Sequence, residues 1–297
     1  MKKIISFSLI VCILLISVFI FTGCENKEKN NNNLKIVTSF YPINIMALNI
    51  TEGAKNIELS NMAEQNVGCL HNYTLNTSDL KKVEKANVFI KNGLEIENFM
   101  DKLLNSFSSL KVIDSSEGIE NIIRDEDEEN GHIWVSIDNN INQVKNIKDK
   151  LKELNSENSE LYEKNAIQYI EKLEKLKQKY NDELGESLNG KKVVCLNEAF
   201  AYLINDLELD AIEVHTDHEE STLSAESVKN IIEKMKNDDI KIIIIDKNDN
   251  EKNAQNLSNE TGAKIYKLDS CLTGDMDKDA YINSMEENLR ILKQFNI

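Results

Sequence analysis

The sequence predicts an α/β protein of two lobes, each with a mostly parallel sheet flanked by helices, joined by one long helix. Three observations predict it. Short apolar runs of strand length alternate with helical stretches, and strands separated by helices form parallel sheets covered by those helices. The alternation occurs twice, on either side of one uninterrupted amphipathic stretch. The chain also has 297 residues, the size at which a single hydrophobic core stops growing and chains divide.

The strand-like runs of the first half are Lys35–Ser39, Ile57–Ser60, Asn87–Lys91 and Lys111–Asp114. Those of the second are Lys191–Leu196, Ala211–Val214, Lys241–Asp246 and Lys264–Leu268. Ile242 to Ile245 is continuously apolar, as a strand buried on both faces should be. Between the halves, Leu161, Ala166, Tyr169, Ile170, Leu173, Leu176, Tyr180 and Leu184 keep one helix face apolar. No Gly or Pro interrupts Ser159–Leu184, and Gly185 offers a stop. Such a helix would be about 39 Å long, enough to run the height of a two-lobed protein. The expected division is an N-terminal lobe over 34–158, a connecting helix over 159–185 and a C-terminal lobe over 186–297.

The first residues read as an export signal. Lys2 and Lys3 precede an apolar run from Ile4 to Phe21, and Phe21-Thr22-Gly23-Cys24 resembles a bacterial lipoprotein cleavage box. Residues 1–23 are the expected signal peptide, Cys24 the lipidated residue and 24–33 a polar, flexible tether. An uncleaved signal anchor is the other reading, since about 18 apolar residues just span a bilayer. The lipoprotein reading places the protein outside the cytoplasmic membrane, held by its N-terminal lipid.

Acidic residues outnumber basic ones 51 to 35, a net charge of −16. That surface repels phosphate backbones, which argues against nucleic-acid binding, and concentrates cations. There is no Gly-rich phosphate loop and no Gly-x-Ser-x-Gly elbow.

The histidines are His71, His132, His215 and His218. His71 lies in a loop after the second strand run, and His132 follows the acidic run Asp125 to Glu129. Asn197-Glu198 and Asp269 follow strand runs directly, where open parallel sheets bind ligands. A metal site between the lobes and isolated hydrogen-bonding histidines both fit this placement. His215 and His218, within His215-Thr216-Asp217-His218-Glu219-Glu220, read as solvated loop residues.

Several segments resemble one family. Thr38-Ser39-Phe40-Tyr41-Pro42 is similar to the start of the solute-binding lipoproteins of zinc and manganese ABC importers. His71-Asn72-Tyr73, running to Ser78-Asp79-Leu80, resembles that family's His-Asp-Tyr, Pro-Ser-Asp-Leu segment. The acidic stretch before His132-Ile133-Trp134, then Glu198-Ala199-Phe200-Ala201-Tyr202, then Thr261-Gly262-Ala263-Lys264 leading to Asp269, follow in the family's order. The resemblance implies two α/β lobes bridged by one rigid helix, with Zn²⁺ or Mn²⁺ buried between them and delivered to an ABC permease. It puts His71, His132 and Asp269 on metal-ligand positions. The position that carries His or Glu in the family falls on Asn197, so Glu198, water or another group would complete the shell. Pro is also absent beside His71 (Leu70) and after Asp269 (Ser270).

Three cysteines lie beyond the expected leader and lipid site: Cys69, Cys195 and Cys271, each two residues from a ligand position. Residues i and i+2 of an extended segment point the same way. Thiolate ligation, one disulfide with a thiol left over, and plain packing all remain open for them. The leading expectation is a monomeric, non-catalytic carrier of zinc, with manganese next. The alternatives are a metal-free adhesin on the same fold, and a zinc hydrolase using Glu198 as base.

Overall fold

Each half of the chain is organised on a four-stranded parallel sheet. The computed structural model describes residues 33–64, 70, 73–125, 128–213 and 223–296. In the first half, β1 (Leu34–Thr38), β2 (Ile57–Asn61), β3 (Val88–Lys91) and β4 (Lys111–Asp114) lie in the order β2-β1-β3-β4. A short antiparallel pair follows, β5 (Arg124–Asp125) with β6 (Glu128–Glu129). In the second half, β7 (Lys192–Cys195), β8 (Asp210–Glu213), β9 (Ile242–Asp246) and β10 (Lys264–Leu268) lie in the order β10-β9-β7-β8. Both sheets start on an inner strand and later cross to its other side. Their switch points therefore fall between β1 and β3 and between β7 and β9, where the carboxyl ends of the strands open a crevice.

The four isoleucines of β9 divide as expected of a strand covered on both faces. Ile242 and Ile244 join the main core, while Ile243 and Ile245 join a second cluster with Ile231, Met235, Ala254 and Leu257. Those last residues come from α7 (Ala225–Asn237) and α8 (Lys252–Thr261), which cover the outer side of the second sheet.

The remaining helices are α1 (Tyr41–Thr51), α2 (Thr77–Glu84), α3 (Asp101–Ser106), α4 (Ile137–Leu154), α5 (Ser159–Leu184), α6 (Ala201–Asp206) and α9 (Ala280–Leu292). Their starts are written locally. Pro42 sits in the first turn of α1, Asn76 and Asp79 form a capping box on α2, and Ser136 caps α4.

The helix α5 runs the 26 residues expected and stops at Gly185. It buries Tyr162, Ala166, Tyr169, Leu173, Leu176, Tyr180 and Leu184. This stripe begins at Tyr162 rather than Leu161, and Ile170 is only half-buried. The steps of three and four from Tyr162 keep one face in register, which leaves Leu161 and Ile170 on its flank. The stripe packs against α1, α4 and α9, so it touches helices of both halves. Tyr180 Oη donates to the Met285 carbonyl at 2.6 Å, and Asn165 Nδ2 donates to the carbonyls of Ile50 and Glu52 that end α1. One core runs from the first sheet through α5 to the inner face of the second, and Leu34–Ile297 forms one compact unit. Among the described residues no helix is long and apolar enough to cross a membrane. The expected signal peptide, Cys24 and the tether up to residue 32 lie outside the described residues.

A buried polar network lies beyond the end of β3. Glu97, 1% exposed, accepts the backbone N–H of Asn92 at 2.7 Å and of Gly93 at 3.1 Å. Gly93 has φ +91, and a Cβ there would meet Asp114 Oδ1 at 2.2 Å, so only glycine fits. The Asn92 side chain donates to the Gly131 carbonyl and accepts from Gln143 Nε2. Burial pushes the Glu97 carboxyl up from its ordinary 4.5 to about 7, against the backbone donors that favour its ionised form.

Leu173→Ala should lower the unfolding free energy by about 2–5 kcal/mol, whereas Ile167→Ala, on the exposed side of α5, should change it by at most about 0.5 kcal/mol. Denaturant titration reads both. The native state holds the Glu97 proton at pH values where the unfolded chain has lost it. The stability that Glu97 contributes is therefore present in full below about pH 4.5 and is lost as pH rises to about 7, by about 3 kcal/mol. Glu97→Gln should flatten that part of the stability profile; an equally steep fall in the variant would assign the slope to other groups.

Candidate functional site

Four segments meet along the seam between the two halves. The first is the run Thr38 to Pro42, leaving β1 at the switch point of the first sheet and entering α1. Phe40 is buried and stands edge-on to Trp134, with ring centroids 5.1 Å apart. Tyr41 Oη crosses to donate to the Asp275 carbonyl at 2.9 Å.

The second segment carries His132, which is 2% exposed and opens the short helical turn Ile133–Val135. Gly131 lets this segment approach closely, since a Cβ there would meet Ile96 at 2.4 Å. Asn130 orients the ring. Its Nδ2 donates to the Glu198 carbonyl at 3.1 Å, so its Oδ1 is the atom facing His132 Nδ1 at 2.9 Å. An acceptor oxygen there requires the proton on Nδ1, which leaves the lone pair on Nε2, the tautomer suited to metal ligation. Tyr202, from the second half, adds a hydrogen bond to the Asn130 carbonyl at 2.7 Å.

The third segment follows β7. Asn197 caps the turn Glu198–Phe200, with Oδ1 accepting the Ala199 N–H at 3.0 Å and Nδ2 donating to Asp249 Oδ2 at 2.9 Å. Both ends of its carboxamide are thus engaged in structure. Cys195 is buried, its sulfur 3.2 Å from the Asn197 carbonyl oxygen. Glu198 enters the seam through the backbone contact to Asn130.

The fourth segment, Asp269 to Cys271, follows β10. Asn288 clamps the Asp269 peptide from both sides, accepting its N–H at 2.7 Å and donating to its carbonyl at 2.8 Å. Asp246 Oδ2 accepts the Ser270 N–H at 2.8 Å, and the Trp134 indole donates to the Ser270 carbonyl at 2.9 Å. The Asp269 carboxylate, 6% exposed, accepts the Cys271 N–H on Oδ1 and the Lys247 ammonium on Oδ2. An extended segment would point Cys271 the same way as Asp269. The chain turns there instead, with φ +57, and the residue lines a small cavity with Tyr41, Tyr169 and Tyr281. Burial first, then the Asp269 carboxylate, pushes its thiol well up, which keeps it protonated.

The seam therefore brings the segments of His132, Glu198, Asn197 and Asp269 together, through Asn130, Trp134 and Tyr202. Among the described residues no group of three or more His, Cys, Asp and Glu side chains forms a metal-holding cluster. His71, Cys69, His215 and His218 lie outside the described residues. Sequence reasoning missed Asn130, Lys247 and Asn288. Only Lys247 had a legible signal, its place directly after a strand end.

The family model described as zinc-uptake complex component A periplasmic matches residues 36–295. The zinc-binding lipoprotein AdcA of Streptococcus pneumoniae is 28% identical over 314 residues, covering 99% of this chain and 61% of that protein. The chain thus spans about three-fifths of that relative's length. The manganese ABC transporter substrate-binding lipoprotein PsaA of Streptococcus mitis is 25% identical, covering 93% of this chain and 94% of that protein. Among solved structures, the Zn(II)-bound ZnuA-like domain of S. pneumoniae AdcA superposes with TM-score 0.76 at 26% identity, covering 89% of this chain and 99% of that one. FpvC of Pseudomonas aeruginosa in complex with Mn²⁺ gives 0.79 at 22% identity, covering 89% and 98%, a likeness of fold. With its match running from Ile36 to Phe295, the chain belongs to the zinc-uptake complex component A periplasmic (ZnuA) family.

Proposed function

We propose that this protein is the metal-capturing component of an ABC importer, taking a divalent transition metal as cargo at the seam and delivering it to a membrane permease. Zinc is the first candidate and manganese the second. One observation carries the reading: an oriented, buried imidazole from the first half and a clamped, buried carboxylate from the second are locked to one seam by the Trp134–Ser270 hydrogen bond. Neutral imidazole with carboxylate is a donor set for Zn²⁺, and also serves Mn²⁺. His132 would bind through Nε2, Asp269 through a carboxylate oxygen, and His71 would supply the third bond. Glu198 is the better candidate for the fourth, because the Asn197 carboxamide is engaged at both ends.

Cys271 serves packing in this reading, since ligation would first have to remove a proton that burial holds. Cys24 would carry the lipid that holds a monomer at the outer face of the cytoplasmic membrane, with 24–33 as tether. The lobes divide at 34–158 and 186–297, and 159–185 is the connector. A carrier needs no general base, so the hydrolase reading gains nothing from this seam; the adhesin reading stands or falls with metal binding.

Replacing His71, His132 or Asp269 with Ala should each weaken Zn²⁺ binding at least about 100-fold, measured by competition with a chromophoric chelator. Saturating zinc at about 1,000 times its dissociation constant should stabilise the wild type by about 4 kcal/mol, raising its melting temperature. Unchanged melting with both zinc and manganese would favour the adhesin. Asn197→Ala should cost about 1 kcal/mol of stability as a lost cap yet bind zinc nearly as the wild type does. Glu198→Gln should show the opposite pattern, with binding weakened and stability kept.

A further inference from the structure

Lys247 is the first residue after β9, at the switch point of the second sheet. Its backbone N–H donates to the Leu268 carbonyl at 2.7 Å, which pins it beside the end of β10. From there its ammonium reaches Asp269 Oδ2 at 2.7 Å. The two partners are unequal. The Asp269 side chain is 8% exposed, and its backbone is clamped by Asn288 with Oδ1 accepting the Cys271 N–H. The Lys247 side chain is 40% exposed, and its end can turn into water without disturbing any strand.

We propose that Lys247 is a built-in counter-cation, occupying Asp269 before cargo arrives and competing with the incoming metal for that carboxylate. This rests on the reading of Asp269 as a ligand. A fixed carboxylate removed from water needs a compensating charge, and Lys247 supplies it. A dication bonded to Oδ2 would stand within a few ångströms of the ammonium, where like charges repel strongly. Binding is then an exchange: the Lys247–Asp269 ion pair opens, the metal–oxygen bond forms, and the ammonium moves into solvent still protonated. The device keeps the Asp269 carboxylate paired and aligned between loads. It also lowers affinity and helps expel the metal at delivery, because the returning ammonium takes the vacated carboxylate.

The test compares Zn²⁺ affinity and dissociation rate, by chelator competition at fixed pH, in the wild type, Lys247→Met, Lys247→Gln, Lys247→Arg and Asp269→Asn. Removing the positive charge in the Met or Gln variant should tighten binding roughly tenfold and slow dissociation. Gln can still hydrogen-bond Oδ2, so it tests the charge even if Met perturbs folding, which melting without metal reports. Arg keeps the charge and should remain within about threefold of the wild type. Unchanged or weaker binding in both neutral variants overturns the proposal, since a residue that only props the carboxylate would lose affinity when removed. Wild-type affinity in Asp269→Asn would instead overturn the ligand assignment beneath it, which separates the two failures.

Discussion

The seam depends on one buried side chain. Trp134 is fully buried, meets Phe40 edge-on and His132 at 5.2 Å, and spends its only hydrogen-bond donor on the Ser270 carbonyl of the opposite half. It therefore joins the segment leaving β1, the segment bearing His132 and the segment bearing Asp269. A buried indole N–H without a partner is costly, so this bond constrains geometry as well as adding area. Moving the His132 segment or the Asp269 segment away by an ångström would strand that donor.

Proline is nearly absent, with one in the whole chain, and the loops at Leu70 and Ser270 have none. Asparagine carboxamides take over the work of fixing loops. Asn92 links its own turn to Gly131 and Gln143. Asn130 links His132 to Glu198, Asn197 links its turn to Asp249, and Asn288 holds Asp269. A carboxamide offers donors and an acceptor on one short stem, so a single side chain can tie two strand ends together. Asn-rich sequence reads as loop or tether when scanned linearly, and this use of it emerges only in three dimensions.

Much of the architecture was legible because it is periodic. The helix Ser159–Leu184 lacks Gly and Pro and ends at a glycine, and four consecutive isoleucines could only be a doubly covered strand. Where the reading slipped, at Leu161 against Tyr162, two apolar neighbours competed for one face and packing decided. The site was less legible. Spacing alone left both a metal site and isolated histidines open, and the family resemblance favoured the metal site. Asn197 occupies the expected position, but its partner Asp249 lies 52 residues on, so its structural engagement has no local signature. Lys247 and Asp269 are likewise distant in sequence, by 22 residues, and Asn130 and Glu198 by 68. The left-handed backbone at Cys271, which breaks the two-residue offset argument, occurs in a non-glycine residue that gives no warning of it.

The contacts that close the first half come from the far end of the chain. Tyr41 bonds the Asp275 carbonyl, Asn49 the Lys278 carbonyl, and α9 covers the stripe of α5 only after residue 280 has been made. Pairings separated by more than 200 residues form late and slowly. A ribosome releasing this chain thus exposes an N-terminal half whose central helix still lacks its cover. The polypeptide stays short of its native state until residues 275–292 have been made.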